Sequence, residues 1–110
     1  MSQRYLARRY RYADNVPWND DRYEIFVEED GQLLSIGGAI RTWTNRTIAF
    51  LCTKQEQRWI HTPQEAEQRA SGGIFVWGDS VRDALTALKR QYPMPEKILR
   101  DVLERENATF

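Results

Sequence analysis

The sequence predicts one α+β domain over residues 1–110, with an antiparallel β-meander in the N-terminal half and C-terminal helices packed on one face. Up to residue 61, the apolar residues mostly alternate with polar ones, which is the period of a strand. Turn residues such as Asp30-Gly31 interrupt these runs at short intervals. After Thr62 the apolar period becomes helical, and strands followed by helices are typical of α+β domains.

The strand half of the chain is predicted as short segments joined by turns. Asp30-Gly31 favours a two-residue hairpin, because glycine tolerates a positive φ. Gly37-Gly38 marks a bulge or bend, and we expect Leu34 and Ile36 before it to face inward. Segment 47–53 is the most apolar and is predicted to be a central strand covered on both sides. The predicted strands, in chain order, are 4–12, 22–28, 32–36, 39–44, 47–53, 57–61 and 74–77.

Three helices are predicted from capping signals and spacing. Thr62-Pro63-Gln64-Glu65 is a capping box with proline at the first helical position, and its helix ends at Ser71-Gly72-Gly73. Gly78-Asp79-Ser80 leads into a second helix, which Pro93 ends, and a last helix begins at Pro95. The apolar face of the second helix comprises Val81, Ala84, Leu85, Leu88 and Tyr92, and that of the last comprises Ile98, Leu99, Val102 and Leu103.

The core is expected to form from the apolar positions on the inward faces of these strands and helices. Replacing Leu85 or Phe50 with alanine should cost ~2–5 kcal/mol, through lost burial and the cavity left behind. The predicted core residues are Ile25, Val27, Ile48, Phe50, Leu51, Val76, Val81, Leu85, Leu88, Ile98 and Val102.

The composition bounds the class of protein. The formal net charge is +0, so the chain lacks the global basic excess of many nucleic-acid binders. Cys52 is the only cysteine, which excludes an internal disulfide and predicts a small, inert, buried side chain. No apolar run is long enough to span a membrane and no secretory signal opens the chain, so we expect a cytoplasmic protein without a membrane partner.

The sequence offers little for catalysis. His61 is the only histidine and has no cysteine or histidine at metal-ligand spacing, so a structural hydrogen bond is its ordinary role. The acidic pairs Asp20-Asp21 and Asp79/Asp83 flank a turn and a helix start, where local backbone physics already favours acids. We therefore predict no catalytic residue, no metal and no cofactor, and rank a small enzyme centred on His61 last among the functions.

The most suggestive feature is a basic arm, which we define as Arg8, Arg9, Tyr10, Arg11 and Tyr12. Arginine pairs with phosphates and tyrosine stacks on bases, so the arm is a candidate nucleic-acid contact. The ordinary alternative, which we favour, is an edge strand blunted by charge against aggregation. The arginines either pair with an acidic strip on a neighbouring strand or project into solvent towards an acidic partner, and the zero net charge favours internal or intersubunit pairing. The acidic strip comprises Asp20, Asp21, Glu28 and Glu29.

Tryptophan is the second suggestive feature, with four residues spread along the chain. Most should be buried, but tryptophan is enriched at interfaces, so we expect at least one at a contact surface. We select Trp18 and Trp43 as contact residues together with the basic arm. The predicted function is a small non-catalytic protein-interaction module that associates with itself as a homodimer or with a protein partner. The first alternative is a nucleic-acid-binding accessory protein that uses the basic arm.

Overall fold

The computed structural model describes residues 4–9, 21–42 and 44–92, which form a five-stranded antiparallel sheet with helices packed on it. The strands lie in the sheet in chain order, so the predicted α+β meander is confirmed. The strands are β1 (Arg4–Arg9), β2 (Asp21–Glu29), β3 (Gln32–Arg41), β4 (Thr47–Leu51) and β5 (Phe75–Gly78). The α-helices are α1 (Pro63–Arg69) and α2 (Val81–Gln91), and the 3-10 helices are η1 (Glu56–Trp59) and η2 (Ser71–Gly73).

The β2–β3 hairpin closes through the predicted Asp30-Gly31 turn. Both turn residues have a positive φ, 51° and 76°, as in the tight hairpin turns whose twist matches that of the strands. Glu29 pairs with Gln32 on either side of the turn, so the two-residue loop sets the register. Leu34 is predicted to face inward but remains 39% exposed, because α2 packs mainly on β4 and β5, away from this end of the hairpin.

β3 contains a β-bulge. The pairing with β2 skips Ile36, which is the extra residue between Ser35 and Gly37. The irregularity therefore lies directly before the Gly37-Gly38 pair that predicts it. A Cβ on Gly37 would lie 1.9 Å from the carbonyl oxygen of Phe50, so glycine is required for β3 and β4 to approach this closely.

The two faces of the sheet are covered by different segments. On the α2 face, Ala84 and Leu88 of α2 pack into a cluster drawn from β2 to β5. On the opposite face, which we call the crossover face, residues 52–74 connect β4 to β5 and pack through Ile60 and Ala66. β4 is buried along its whole length between these layers, which confirms the prediction of a central strand covered on both sides.

The predicted strand at 57–61 is wrong, because this segment forms η1. The N–H of Arg58 donates to the carbonyl of Gln55 at 3.4 Å, and that of Ile60 donates to the carbonyl of Gln57 at 3.5 Å, the spacing of a 3-10 helix. A strand formed by these residues could not pair with β4, because β3 and β5 already pair with the two sides of β4.

The predicted helix starts are confirmed by their caps. Oγ1 of Thr62 accepts a hydrogen bond from the N–H of Glu65 at 3.1 Å, and a proline follows at the first helical position. Oγ of Ser80 accepts from the N–H of Asp83 at 3.0 Å. Neither described helix is long and apolar enough to cross a membrane. The helix predicted to begin at Pro95 lies outside the described residues.

Most of the predicted core is buried. Val81 and Leu85 are only half-buried, because Ala84 and Leu88 form the stripe of α2 that faces the sheet. The predicted core residues that are buried are Ile25, Val27, Ile48, Phe50, Leu51, Val76 and Leu88. The predicted core residues that lie outside the described part of the chain are Ile98 and Val102.

Candidate interaction surface

β1 brings the described part of the basic arm to an edge of the sheet. It pairs with β2, and the register sets Arg8 opposite Glu24 and Arg4 opposite Glu28. Facing residues of antiparallel strands have Cβ atoms about 5 Å apart, so opposite charges there attract each other. Arg8 of the basic arm thus lies opposite a glutamate outside the acidic strip, and Arg9 lies opposite Tyr23, so the described residues do not pair the arm with the strip. The selected contact residues that lie outside the described part of the chain are Tyr10, Arg11, Tyr12, Trp18 and Trp43.

The two faces of β1 differ in their surroundings. Arg9 lies on the α2 face, opposite Tyr23. Arg8 lies with Leu6 on the crossover face, and its guanidinium carbon is 5.7 Å from the centre of the Phe26 ring. Leu6 and Phe26 are half-buried, and neither belongs to the two apolar clusters formed by the described residues. We call this part of the crossover face, which lies outside both apolar clusters of the described residues, the open patch. It consists of Leu6, Arg8, Glu24 and Phe26.

A polar network fixes η1 to the sheet at the border of the open patch. Oγ of Ser35 donates a hydrogen bond to Oε2 of Glu24 at 2.7 Å. Nε2 of Gln57 donates to the Ser35 hydroxyl at 2.9 Å and makes a longer contact of 3.5 Å with the same Glu24 oxygen. Gln57 is only 2% exposed, while Ser35 and Glu24 are half-buried, so the network orients the Glu24 carboxylate from its buried side.

Arg22 anchors the end of η1. Its Nε donates to the carbonyl of Ile60 at 3.1 Å, its Nη1 donates to the carbonyl of Tyr23, and its guanidinium carbon is 5.1 Å from the Phe50 ring centre. The Arg22 side chain is only 2% exposed, although an arginine is seldom fully buried. Gly38 leaves the space for it, since a Cβ there would lie 2.2 Å from Nη1. Periodicity alone does not reveal this cross-strand space.

A cleft of about 480 Å³ opens beside η1 and shares Glu24 with the open patch. Its lining is Glu24, Lys54, Gln55 and Arg58. The side chains of Lys54 and Arg58 make no hydrogen bond or ion pair with any residue that the structure describes. The described lining residues, with two cations and one carboxylate, carry a net charge of +1 (2 − 1). Clefts of this size hold small ligands or the side chains of a bound protein.

Trp59 stands out on η1, directly after Arg58. It is 59% exposed, compared with 37% for Leu33 and 39% for Leu34, the other large apolar side chains exposed in the described chain. Trp77, by contrast, is half-buried, with the guanidinium carbon of Arg46 5.2 Å from its ring. One tryptophan is thus exposed as expected, but in a segment predicted as a strand. The unbroken polar run at 54–58 is the sequence signal against that strand.

Cys52 is a buried thiol, as the sequence predicts. It is 0% exposed, and burial raises its pKa from 9.0 to about 12, with Arg22 opposing the shift and Glu56 and Glu24 adding to it. Such a thiol stays protonated at neutral pH and cannot act as a nucleophile. Within 4–9, 21–42 and 44–92, no three His, Cys, Asp or Glu side chains are close enough together to hold a metal ion.

The described residues form a small α+β domain that presents a polar cleft and an exposed indole around one short helix. Comparison with models of known protein families, with curated proteins and with solved structures finds no match to this chain.

Proposed function

We propose that this chain is a non-catalytic protein-interaction module whose contact surface is η1, with Trp59 at its centre. The exposure of Trp59 is the observation that supports this most directly. Leaving about three fifths of an indole in water forgoes roughly 3 kcal/mol of burial free energy, which the surface of a partner can supply. Tryptophan and arginine are also the residues most enriched among those that dominate binding energy, and Arg58 is the neighbour of Trp59.

The attachment of η1 supports the same proposal. Gln57 ties the helix to Ser35 of β3, and Arg22 of β2 binds the carbonyl of Ile60 at its C-terminal end. A contact surface that is already held in place loses less conformational entropy when a partner binds. Trp59 is therefore presented on a fixed segment and does not have to be ordered during binding.

The test is photo-cross-linking from η1. A benzophenone amino acid replaces Trp59 in one variant and Glu67, an exposed residue of α1, in a matched control. Each variant is expressed in the native cell and irradiated. The variant with benzophenone in place of Trp59 should yield a discrete cross-linked species that mass spectrometry identifies, and the variant with benzophenone in place of Glu67 should not. With that partner purified, Trp59→Ala should raise the Kd at least ~30-fold, about 2 kcal/mol, and Glu67→Ala less than ~2-fold. Identical cross-linking from both positions would refute the proposal.

Self-association is one form of this proposal, in which the partner is a second copy of the chain. We expect sedimentation equilibrium of the purified protein to show a dimer that Trp59→Ala dissociates. A wild-type protein that stays monomeric at high micromolar concentration would exclude the homodimer and leave a different protein as the partner.

Nucleic-acid binding is the alternative function. Arg8 of the basic arm, and Arg4 before it, each lie opposite a glutamate across the sheet, which lowers the uncompensated charge that phosphates require. We therefore expect negligible affinity for DNA or RNA at physiological salt, while Arg9→Glu with Arg11→Glu disturbs partner binding. Micromolar binding that falls steeply with salt and disappears in this double variant would establish the alternative instead.

A further inference from the structure

The cleft beside η1 carries two cationic side chains that the described chain does not use. Lys54 and Arg58 both line it, and neither makes a side-chain hydrogen bond or ion pair with a described residue. The guanidinium of an arginine offers a planar fork of N–H donors that matches the two oxygens of a carboxylate. The cleft therefore supplies donors for an anionic group at the edge of the surface that displays Trp59.

Glu24 limits which anion fits. The Ser35 hydroxyl and the Gln57 amide hold its Oε2, so the carboxylate remains in the lining and cannot swing away from an incoming anion. A phosphate, with close to two negative charges, meets repulsion from Glu24 in addition to attraction from the two cations. A carboxylate with one negative charge matches the +1 charge of the described lining residues.

Glu24 also supplies an acceptor. The network occupies Oε2, and Oε1 accepts no hydrogen bond from the residues that the structure describes. A ligand that fits the cleft thus combines a carboxylate with a nearby N–H group. An acidic residue in a protein chain has both, since its own backbone and that of its neighbours carry N–H donors. The volume of about 480 Å³ exceeds that of one carboxylate and leaves room for flanking backbone.

We infer that the cleft receives an acidic side chain of the protein partner, with Arg58 and Lys54 on its carboxylate and Glu24 accepting from a backbone N–H beside it. This inference rests on the proposed function, because it assigns the chemistry of the partner that covers Trp59. Trp59 then supplies apolar contact area, and the cleft selects partners that carry aspartate or glutamate at the matching position.

The direct test uses a blocked glutamate tripeptide, acetyl-glycyl-glutamyl-glycine amide, titrated against the full-length protein labelled with ¹⁵N. The side-chain resonances of Arg58 and Gln57 should shift and saturate with a Kd on the order of 1–10 mM. The matching glutamine tripeptide and inorganic phosphate should bind at least ~5-fold more weakly. Arg58→Gln should weaken the glutamate tripeptide ~5-fold or more, while Arg82→Gln, an exposed arginine of α2, should leave it unchanged.

A variant that lacks the Glu24 charge provides a second test. Glu24→Gln keeps the size of the side chain and removes its charge. Phosphate should then bind at least ~3-fold more tightly, and the ratio of the Kd for phosphate to the Kd for the glutamate tripeptide should become smaller. The inference is overturned if the glutamate tripeptide causes no saturable shifts. It is also overturned if phosphate binds the wild type more tightly than the tripeptide does.

Partner binding separates this inference from the proposed function. If Trp59→Ala abolishes binding of the cross-linked partner and Arg58→Gln with Lys54→Gln does not change it, the contact surface stands and the carboxylate assignment is wrong. If neither variant changes partner binding, both are wrong. If the partner loses affinity with both variants, and also on replacing one of its own acidic residues by the corresponding amide, both are supported.

Discussion

The two halves of the sheet belong to the same meander, but the described layers that cover them differ. β3, β4 and β5 lie between α2 on one face and the crossover on the other, whereas β1 and β2 have a described helix layer only on the α2 face. Phe50 of β4 is 0% exposed, while Phe26 of β2 stays half-buried beside Arg8. The covered half therefore carries most of the apolar burial, whereas Leu6 and Phe26 of the other half lie outside both apolar clusters of the described residues.

The largest expected effect compares the two phenylalanines directly. Phe50→Ala should lower the free energy of unfolding by about 3–5 kcal/mol, because the site is closed on both sides and a cavity remains. Phe26→Ala should cost about 1–2 kcal/mol, since water already reaches this ring. Urea denaturation followed by circular dichroism measures both. Equal losses at the two sites would show that the open patch is packed as tightly as the covered half.

The next effect tests the attachment of η1 to the sheet. Gly38→Ala should cost about 2–4 kcal/mol, because the new Cβ displaces a buried guanidinium from the carbonyl of Ile60 and the ring of Phe50. In an Arg22→Ala background the same substitution should cost at least ~1 kcal/mol less, since the obstructing group is gone. A double-mutant cycle measures this coupling. If the free-energy losses of the two substitutions are strictly additive, Gly38 is not needed to make room for the Arg22 side chain.

A smaller effect depends on pH. The folded pKa of Cys52 is raised to about 12, so folding favours the protonated thiol, and this contribution is complete below the unfolded value of 9.0. As pH rises from 9.0 towards 12, the unfolded state gains the thiolate and stability falls by up to about 1.4 kcal/mol per pH unit. Urea titrations at pH 8 and 10.5 should show a larger loss for wild type than for Cys52→Ala. Equal losses would contradict the burial of the thiol.

The smallest perturbation is thiol labelling at pH 8, which changes no interaction in the native state. Cys52 should react with a disulfide reagent only as fast as the protein opens, because it is buried and protonated. A Cys52→Ala, Leu33→Cys variant places the thiol at a site that is 37% exposed in the native chain, and this thiol should react at least ~100-fold faster. Comparable rates would contradict the burial of Cys52.

Local signals predicted much of the fold. The Asp30-Gly31 turn, the Thr62 capping box and the Ser80 cap each depend on a few neighbouring residues, and each is found where the sequence places it. The apolar run through β4 likewise predicted its burial on both sides, because side chains on both faces of a strand need two covering layers.

The candidate surface depends on contacts between residues far apart in the chain, which periodicity does not reveal. Arg22 is buried because Gly38 on the next strand leaves it room, and this depends on strand register. Trp59 is exposed because η1 replaces a strand, since β4 has no free side for another partner. The cleft likewise joins β2 to residues after β4, so neither segment alone indicates it.

The route between β4 and β5 also sets an order of assembly. The β2–β3 hairpin closes across a two-residue turn, and such hairpins form in about 1–10 μs. The pairing of β4 with β5 instead requires the ends of the entire 52–74 segment to meet, at a higher loop-closure entropy. η1 belongs to this slower segment, and its anchors on Ser35 and Arg22 lie on strands that must already be paired. We therefore expect η1 to dock on the sheet after the β2–β3 hairpin has formed, because both anchors belong to that hairpin.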